Sequence, residues 1–195
     1  MLNAFVTLAV RTLTDPRAVA ADLMGMSLPR NTLWIALALA VVLNTLVYQL
    51  TLVIAPPPMP LPGLLASPVA FAVFVAAGLV LSIYALTYVG RTLGGKGSLE
   101  TIMTLLIWLQ YLRFAVQVLA LVLSPVIPGL AGLLVFAASL YGIWLLLNFV
   151  DVGHGINNLI TSLGVLIMTM LAITLGLAML LSLVGIQNLG LTPYV

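Results

Sequence analysis

Apolar residues run in stretches long enough to cross a bilayer at five places: Leu33 to Ile54, Val69 to Val89, Thr101 to Leu123, Leu130 to Val150 and Leu159 to Val184. A hydrocarbon core about 30 Å thick takes about 20 helical residues. Peptide groups facing lipid must be satisfied within their own segment, so runs of this length and composition are helices. Arg113 is the single charge inside the five stretches. The pattern predicts an all-α membrane protein with five transmembrane helices in residues 31–195, preceded by a cytoplasmic, interfacial segment in residues 1–30.

In that leading segment, Leu2, Phe5, Val6, Ala9 and Leu13 follow the i, i+3, i+4, i+7 rhythm, with Asn3, Thr7, Arg11 and Thr14 on the opposite face. This is an amphipathic helix, suited to lie in the interface plane or to pack on the bundle or a partner. "TDPR" then restarts the chain: Asp15 suits a helix cap and Pro16 the first helical position. A second short helix is expected to stop near Gly25. Trp34, just inside the first span, reads as an interface anchor. The loop "APPPMPLPG" is too rich in proline for a helix and reads as a stiff extended strap. "SPVIPG" is short enough to make the third and fourth spans an antiparallel pair.

Composition sharpens this picture. Of 195 residues, 64% are hydrophobic and 5% charged, against about 25% charged in an average soluble domain. The net charge of +2 comes from scattered residues and lacks the concentrated basic stripe that nucleic acid requires. There is no cysteine and one histidine, which argues against thiol chemistry, a metal site and a bound cofactor. The arginines follow the first apolar stretch rather than precede it, so the N-terminus is expected to be retained. Arg11, Arg17, Arg30, Arg91 and Lys96 fall on one side of a five-span topology, and the opposite connectors and the tail 185–195 carry no charge. The positive-inside rule then places the N-terminus in the cytoplasm and the C-terminus outside.

Arg113 is the most unusual residue, because a charge at mid-span costs about 2.5 to 3.5 kcal/mol on insertion scales. Gln110 and Gln117 share its helical face, and Asn44 and Gln49 in the first span offer uncharged partners. Arg113, Gln110, Gln117 and Asn44 form a candidate intramembrane polar site, either structural or lining a path. "GRTLGGKGS", from Gly90 to Ser98, nearly matches the phosphate-binding loop, but Gly97 stands where magnesium needs a hydroxyl, and a membrane helix stands where the motif needs a strand. Its glycines read as turns, and Ser98 with Glu100 as a favourable helix start. "DVGHGINN" places Asp151 and His154 close in sequence without a nucleophile or second histidine, and reads as a polar turn rather than an acid–base pair. Arg91, Lys96, Asp151 and His154 are the candidate cytoplasmic contact residues. No catalytic residue is assigned. Gly164, Ala172 and Gly176 align on the last span as a small-residue packing stripe, within one chain or between two copies.

"TDPRAVAADL" ahead of the first span, and "GGKGSLETIMTLLIWLQ" running into the third, resemble the YIP1 family of small multi-pass membrane proteins. Eukaryotic members are associated with Rab-type GTPases and vesicle trafficking, and carry an aspartate-leucine-tyrosine-glycine-proline motif. This chain keeps Asp22, Leu23 and Gly25 but has Met24 and Met26 in place of the tyrosine and proline, which weighs against a GTPase partner. The compact, alanine- and leucine-rich layout resembles a bacterial branch, in an inner membrane. The resemblance implies a fold and little known activity; the charge gathered on the cytoplasmic side points to a non-enzymatic, membrane-organising or adaptor role toward an unidentified membrane or cytoplasmic protein, or a second copy. The alternative is a transporter or channel subunit for an anionic solute or lipid, using the stripe around Arg113.

Overall fold

A computed structural model of the chain describes residues 2–57, 59 and 61–184. The tail 185–195, assigned above to the outer side, lies outside the described residues. The helices are α1 (Leu2–Thr14), α2 (Pro16–Gly25), α3 (Arg30–Ile54), the short α4 (Gly63–Ala66), α5 (Pro68–Thr92), α6 (Leu99–Leu123), α7 (Pro128–His154) and α8 (Leu159–Val184). Five of them, α3 and α5 to α8, are long and apolar enough to cross a membrane, so the protein is a multi-pass membrane protein.

Local chemistry sets the helix starts. Asp15 caps α2 by accepting the Ala18 N–H at 3.1 Å, with Pro16 in the first position. Ser67 and Ser98 cap α5 and α6 in the same way, and proline opens α5 and α7. The short helix α4 begins at Gly63, the last residue of the proline-rich tract, and the described residues of that tract before it are non-helical, as expected. Two spans run well past the apolar segments. α5 continues to Thr92, and α7 runs from Pro128 to His154, so Asp151 and His154 occupy its last turn instead of a loop. Gly155, at φ 63°, then ends α7 in the left-handed conformation.

The core is concentrated at one end of the bundle, the end that carries Arg30, Arg91, Lys96 and Asp151, called here the charged end. Leu33 and Leu37 of α3, Ile83 and Leu86 of α5, Ile102, Met103 and Leu106 of α6, Val150 of α7 and Val165 of α8 form one cluster there. A second cluster joins Val19, Ala20 and Leu23 of α2 to Leu105, Trp108 and Phe149, with Phe5, Leu8 and Ala9 of α1 packed on it. Toward the opposite, neutral end, large apolar side chains such as Val53, Val69, Val122 and Leu133 are exposed, as lipid contact requires.

The helix α1 turns a different face inward from the one its spacing indicates. Phe5, Leu8 and Ala9 are partly covered and Thr12 is completely buried, while Val6, Val10 and Leu13 are about half exposed. The reason is Trp108. Its ring meets Phe5 edge-on at 5.3 Å, and its indole N–H donates to the Thr12 hydroxyl at 3.1 Å; a buried indole needs that acceptor. Tyr141 of α7 adds a hydrogen bond to the Leu13 carbonyl at 2.5 Å.

Candidate functional site

Two knots of polar groups tie the charged end together. The first is built around His154, which is 1% exposed. The Gly97 N–H points at its Nδ1 over 3.2 Å, so Nδ1 accepts and the proton sits on Nε2, which donates to the Leu86 carbonyl at 3.1 Å. The Lys96 N–H donates to the His154 carbonyl at 2.8 Å, and Arg91 Nε holds the Gly97 carbonyl at 2.9 Å. The loop after α5 is therefore wrapped onto the end of α7.

Its glycines are a cradle for the imidazole. A Cβ on Gly95 would stand 2.7 Å from the Cβ of His154, and one on Gly97 2.6 Å from Nδ1; one on Gly90 would strike the ring itself. Gly94 alone of these four needs a left-handed backbone, at φ 91°. The tract that resembles a phosphate-binding loop is thus glycine-rich because a histidine from another helix fills it.

The second knot is built around Asp151, which is 0% exposed. Its Oδ1 accepts the Asn158 N–H and the Ser162 hydroxyl, both at 2.9 Å, and its Oδ2 is ion-paired with Arg17. Arg17 brings in α2 and Ser162 brings in α8, so one carboxylate joins three helices. A buried charge is tolerated only when paired and hydrogen-bonded on all sides, as this one is. A sequence signal existed: Arg17 and Asp151 were both assigned to the same side, but nothing in their spacing of more than a hundred residues marks them as partners.

These positions correct the expected contact surface. Arg91 and Lys96 are exposed, but Asp151 and His154 are buried with their polar atoms engaged inside the protein. They lie beneath the surface and hold the exposed loop in place.

At mid-span, Asn44 donates to the Ala40 carbonyl at 2.8 Å and toward the Gln110 carbonyl at 3.5 Å, bringing α3 and α6 together. Tyr111 adds a bond to the Ala36 carbonyl at 3.0 Å. Asn44 Oδ1, Gln49 Nε2 and Gln117 Oε1 are buried with no partner among the described residues. Arg113 is not gathered with them. Its side chain is exposed on the outer surface of α6, and among the described residues none pairs with it. Also among the described residues, no group of three or more metal-ligating side chains comes together.

The family whose profile matches this chain is described as the Yip1 domain, over residues 10–183. No curated protein and no solved structure matches.

Proposed function

This chain belongs to the Yip1 domain family, whose match covers most of its length, and from that premise we propose that it is a non-enzymatic adaptor of a bacterial inner membrane. In this reading residues 1–30 form the cytoplasmic segment, residues 31–195 form the membrane domain, and the charged end faces the cytoplasm. The positive-inside rule supports that orientation, since every basic residue outside the spans belongs to this end.

The observation that carries the reading is the rigidly held loop between α5 and α6. Lys96 projects from it, and Arg91 from the last turn of α5 beside it, while the Lys96 and Gly97 N–H groups are pinned on His154. A fixed pair of cations is better preorganised for recognition than a mobile loop. Its natural partner is an acidic surface on a membrane or cytoplasmic protein, or on a second copy of the chain. Conduction has weaker support, because Arg113 lies outside the bundle, and an open groove of about 630 Å³ lined by Val73, Ala77 and Tyr84 of α5 is apolar.

The test is co-purification of the full chain from native membranes in mild detergent, comparing the unaltered protein with R91E/K96E. A partner recovered with the first and lost with the second supports the adaptor reading. Repeated recovery of neither a partner nor tightly held lipid ends it. Because the chain lacks cysteine, single cysteines at the exposed positions Thr92 and Val126 would report orientation through impermeant thiol reagents, with labelling at Thr92 expected only from the cytoplasmic side.

A further inference from the structure

The chain has four acidic side chains, and among the described residues none pairs with Arg113. Asp22 pairs with Arg11 at 3.1 Å, Asp151 pairs with Arg17, and Asp15 caps α2. Glu100 lies in the first turn of α6, about 20 Å back along the same helix. An exposed guanidinium on a membrane span must draw an anion or water to itself.

The level at which it stands is the informative feature. Heights follow from 1.5 Å per helical residue, with the neutral ends of the spans taken as one plane. On α3 and α5 the charges at the other end are Arg30 and Arg91, about 36 Å and 35 Å from that plane, enough for a hydrocarbon core of about 30 Å. On α6 the end charge Glu100 stands at the same level, about 35 Å from Leu123, but Arg113 adds a second charge only about 15 Å from it.

Exposed tyrosine and tryptophan differ in the same sense: Tyr88 on α5 stands about 30 Å from the neutral end and Trp144 on α7 about 24 Å, the level of the partly covered Tyr84 on α5. Trp34 on α3 stands about 30 Å from the neutral end, whereas Tyr141 and Trp144 on α7 stand about 20 Å and 24 Å from it. Tyr141 and Trp144 pack with ring centroids 5.2 Å apart, and Trp144 is exposed. Tyrosine and tryptophan favour the headgroup level.

The helix α1 lies at this same raised level, held by Trp108 of α6 and Tyr141 of α7. Its exposed large apolar side chains are Val6, Val10 and Leu13, beside the uncharged Asn3, Thr7 and Thr14, and its one cation, Arg11, is neutralised by Asp22. That is the profile of a helix lying in the interface, but about halfway up the bundle.

We infer that the α1–α6–α7 side of this protein presents a markedly shorter hydrophobic belt than the α3–α5 side, and that the adjoining leaflet thins there so that lipid headgroup phosphates reach Arg113. A belt shorter than the bilayer is met by local thinning and by flanking side chains that extend to the headgroups. Arg113 supplies the charge that holds the phosphates, Tyr141 and Trp144 mark the boundary, and α1 lies along it. The inference depends on the five spans and not on the adaptor reading.

The test places single spin-labelled cysteines in the full chain, reconstituted in vesicles of phosphatidylcholine with phosphatidylglycerol. Ile143 on α7 and Leu39 on α3 are both exposed and lie at similar heights from the charged end. The label at Ile143 is expected to collide with a water-soluble nickel chelate several-fold more often than the label at Leu39, and a label at Val126 is expected to stay at headgroup depth. Equal depth for Ile143 and Leu39 would overturn the inference. So would a label at Val126 sunk in hydrocarbon, which marks a tilted body in a flat bilayer, or dipolar broadening at Ile143 from a neighbouring copy. Arg113→Leu should move the label at Ile143 deeper while the protein stays folded; an unchanged depth removes the phosphate from the account.

Discussion

The Gly97 N–H and Nδ1 of His154 meet at 3.2 Å, so the end of α7 and the loop leading into α6 are fixed to each other through one imidazole. The contact is tight enough that a methyl group has no room on the glycine side. Gly90→Ala and Gly97→Ala should each destabilise the protein by roughly 1–3 kcal/mol through overpacking. For Gly90 this holds even though alanine is the better helix former by about 1 kcal/mol. Adding His154→Ala to Gly90→Ala should cost less than the two single losses summed, since the obstacle is gone. Unfolding of the four proteins in mixed micelles measures the coupling, and strict additivity would falsify the cradle.

Arg17 is about half exposed, whereas its partner Asp151 has no exposed surface. The two ends of this ion pair are therefore not equivalent. Arg17→Met leaves a buried carboxylate with only Asn158 and Ser162 to satisfy it, and breaking such a pair costs about 3–5 kcal/mol. Asp151→Asn keeps an acceptor for Ser162 and frees a cation that can turn to solvent, so its cost should be smaller. The double variant should recover part of the loss caused by Arg17→Met. Equal destabilisation by the two single variants in the same unfolding assay would contradict the burial asymmetry.

The five spans, the proline-initiated α2 and its aspartate cap were legible because each depends on local rules: length against bilayer thickness, and the first turn of a helix. What sequence left open depends on partners remote in the chain. Asp151 and His154 look like a surface turn when read among their neighbours; they become helical and buried only because Arg17, Leu86, Gly97 and Ser162 arrive from four other segments. The inward face of α1 was missed for a related reason. Leu8 and Val10 widen its apolar arc beyond a single stripe, so the position of Trp108 decides which part is buried. Arg113 was recognised as exceptional, but its outward direction follows from where α3 and α7 grip α6, which no periodicity encodes.

Thr12 links α1 to the bundle through a single hydroxyl that accepts from the Trp108 indole and donates to the Leu8 carbonyl. Thr12→Val preserves shape and removes the acceptor, leaving a buried N–H unsatisfied at a cost of about 1–3 kcal/mol. The loss should appear locally. Hydrogen exchange in α1 is expected to quicken while exchange in α3 and α5 stays unchanged, because α1 is attached to the rest only through its own face and α2. Uniform acceleration across all helices would show that α1 is part of one cooperative unit.

Gly176 is the member of the small-residue stripe that has a neighbour within the chain: a Cβ there would lie 3.7 Å from Cδ2 of Leu81 on α5, an ordinary contact distance. Ala172 is exposed, and a Cβ on Gly164 would meet open space. The close approach of α8 to α5 therefore rests on Gly176, and tolerance there should depend sharply on size. Gly176→Ala fits without displacement and should be neutral or slightly stabilising, since the methyl group adds contact and lowers backbone entropy in the unfolded chain. Gly176→Ile must displace Leu81 and should cost roughly 1–3 kcal/mol. Ala172→Ile has no neighbour to displace in one copy, so its stability in detergent should stay within about 0.5 kcal/mol of the unaltered protein. If Ala172→Ile instead lowers stability in a manner that depends on protein concentration, that face of α8 meets a second copy.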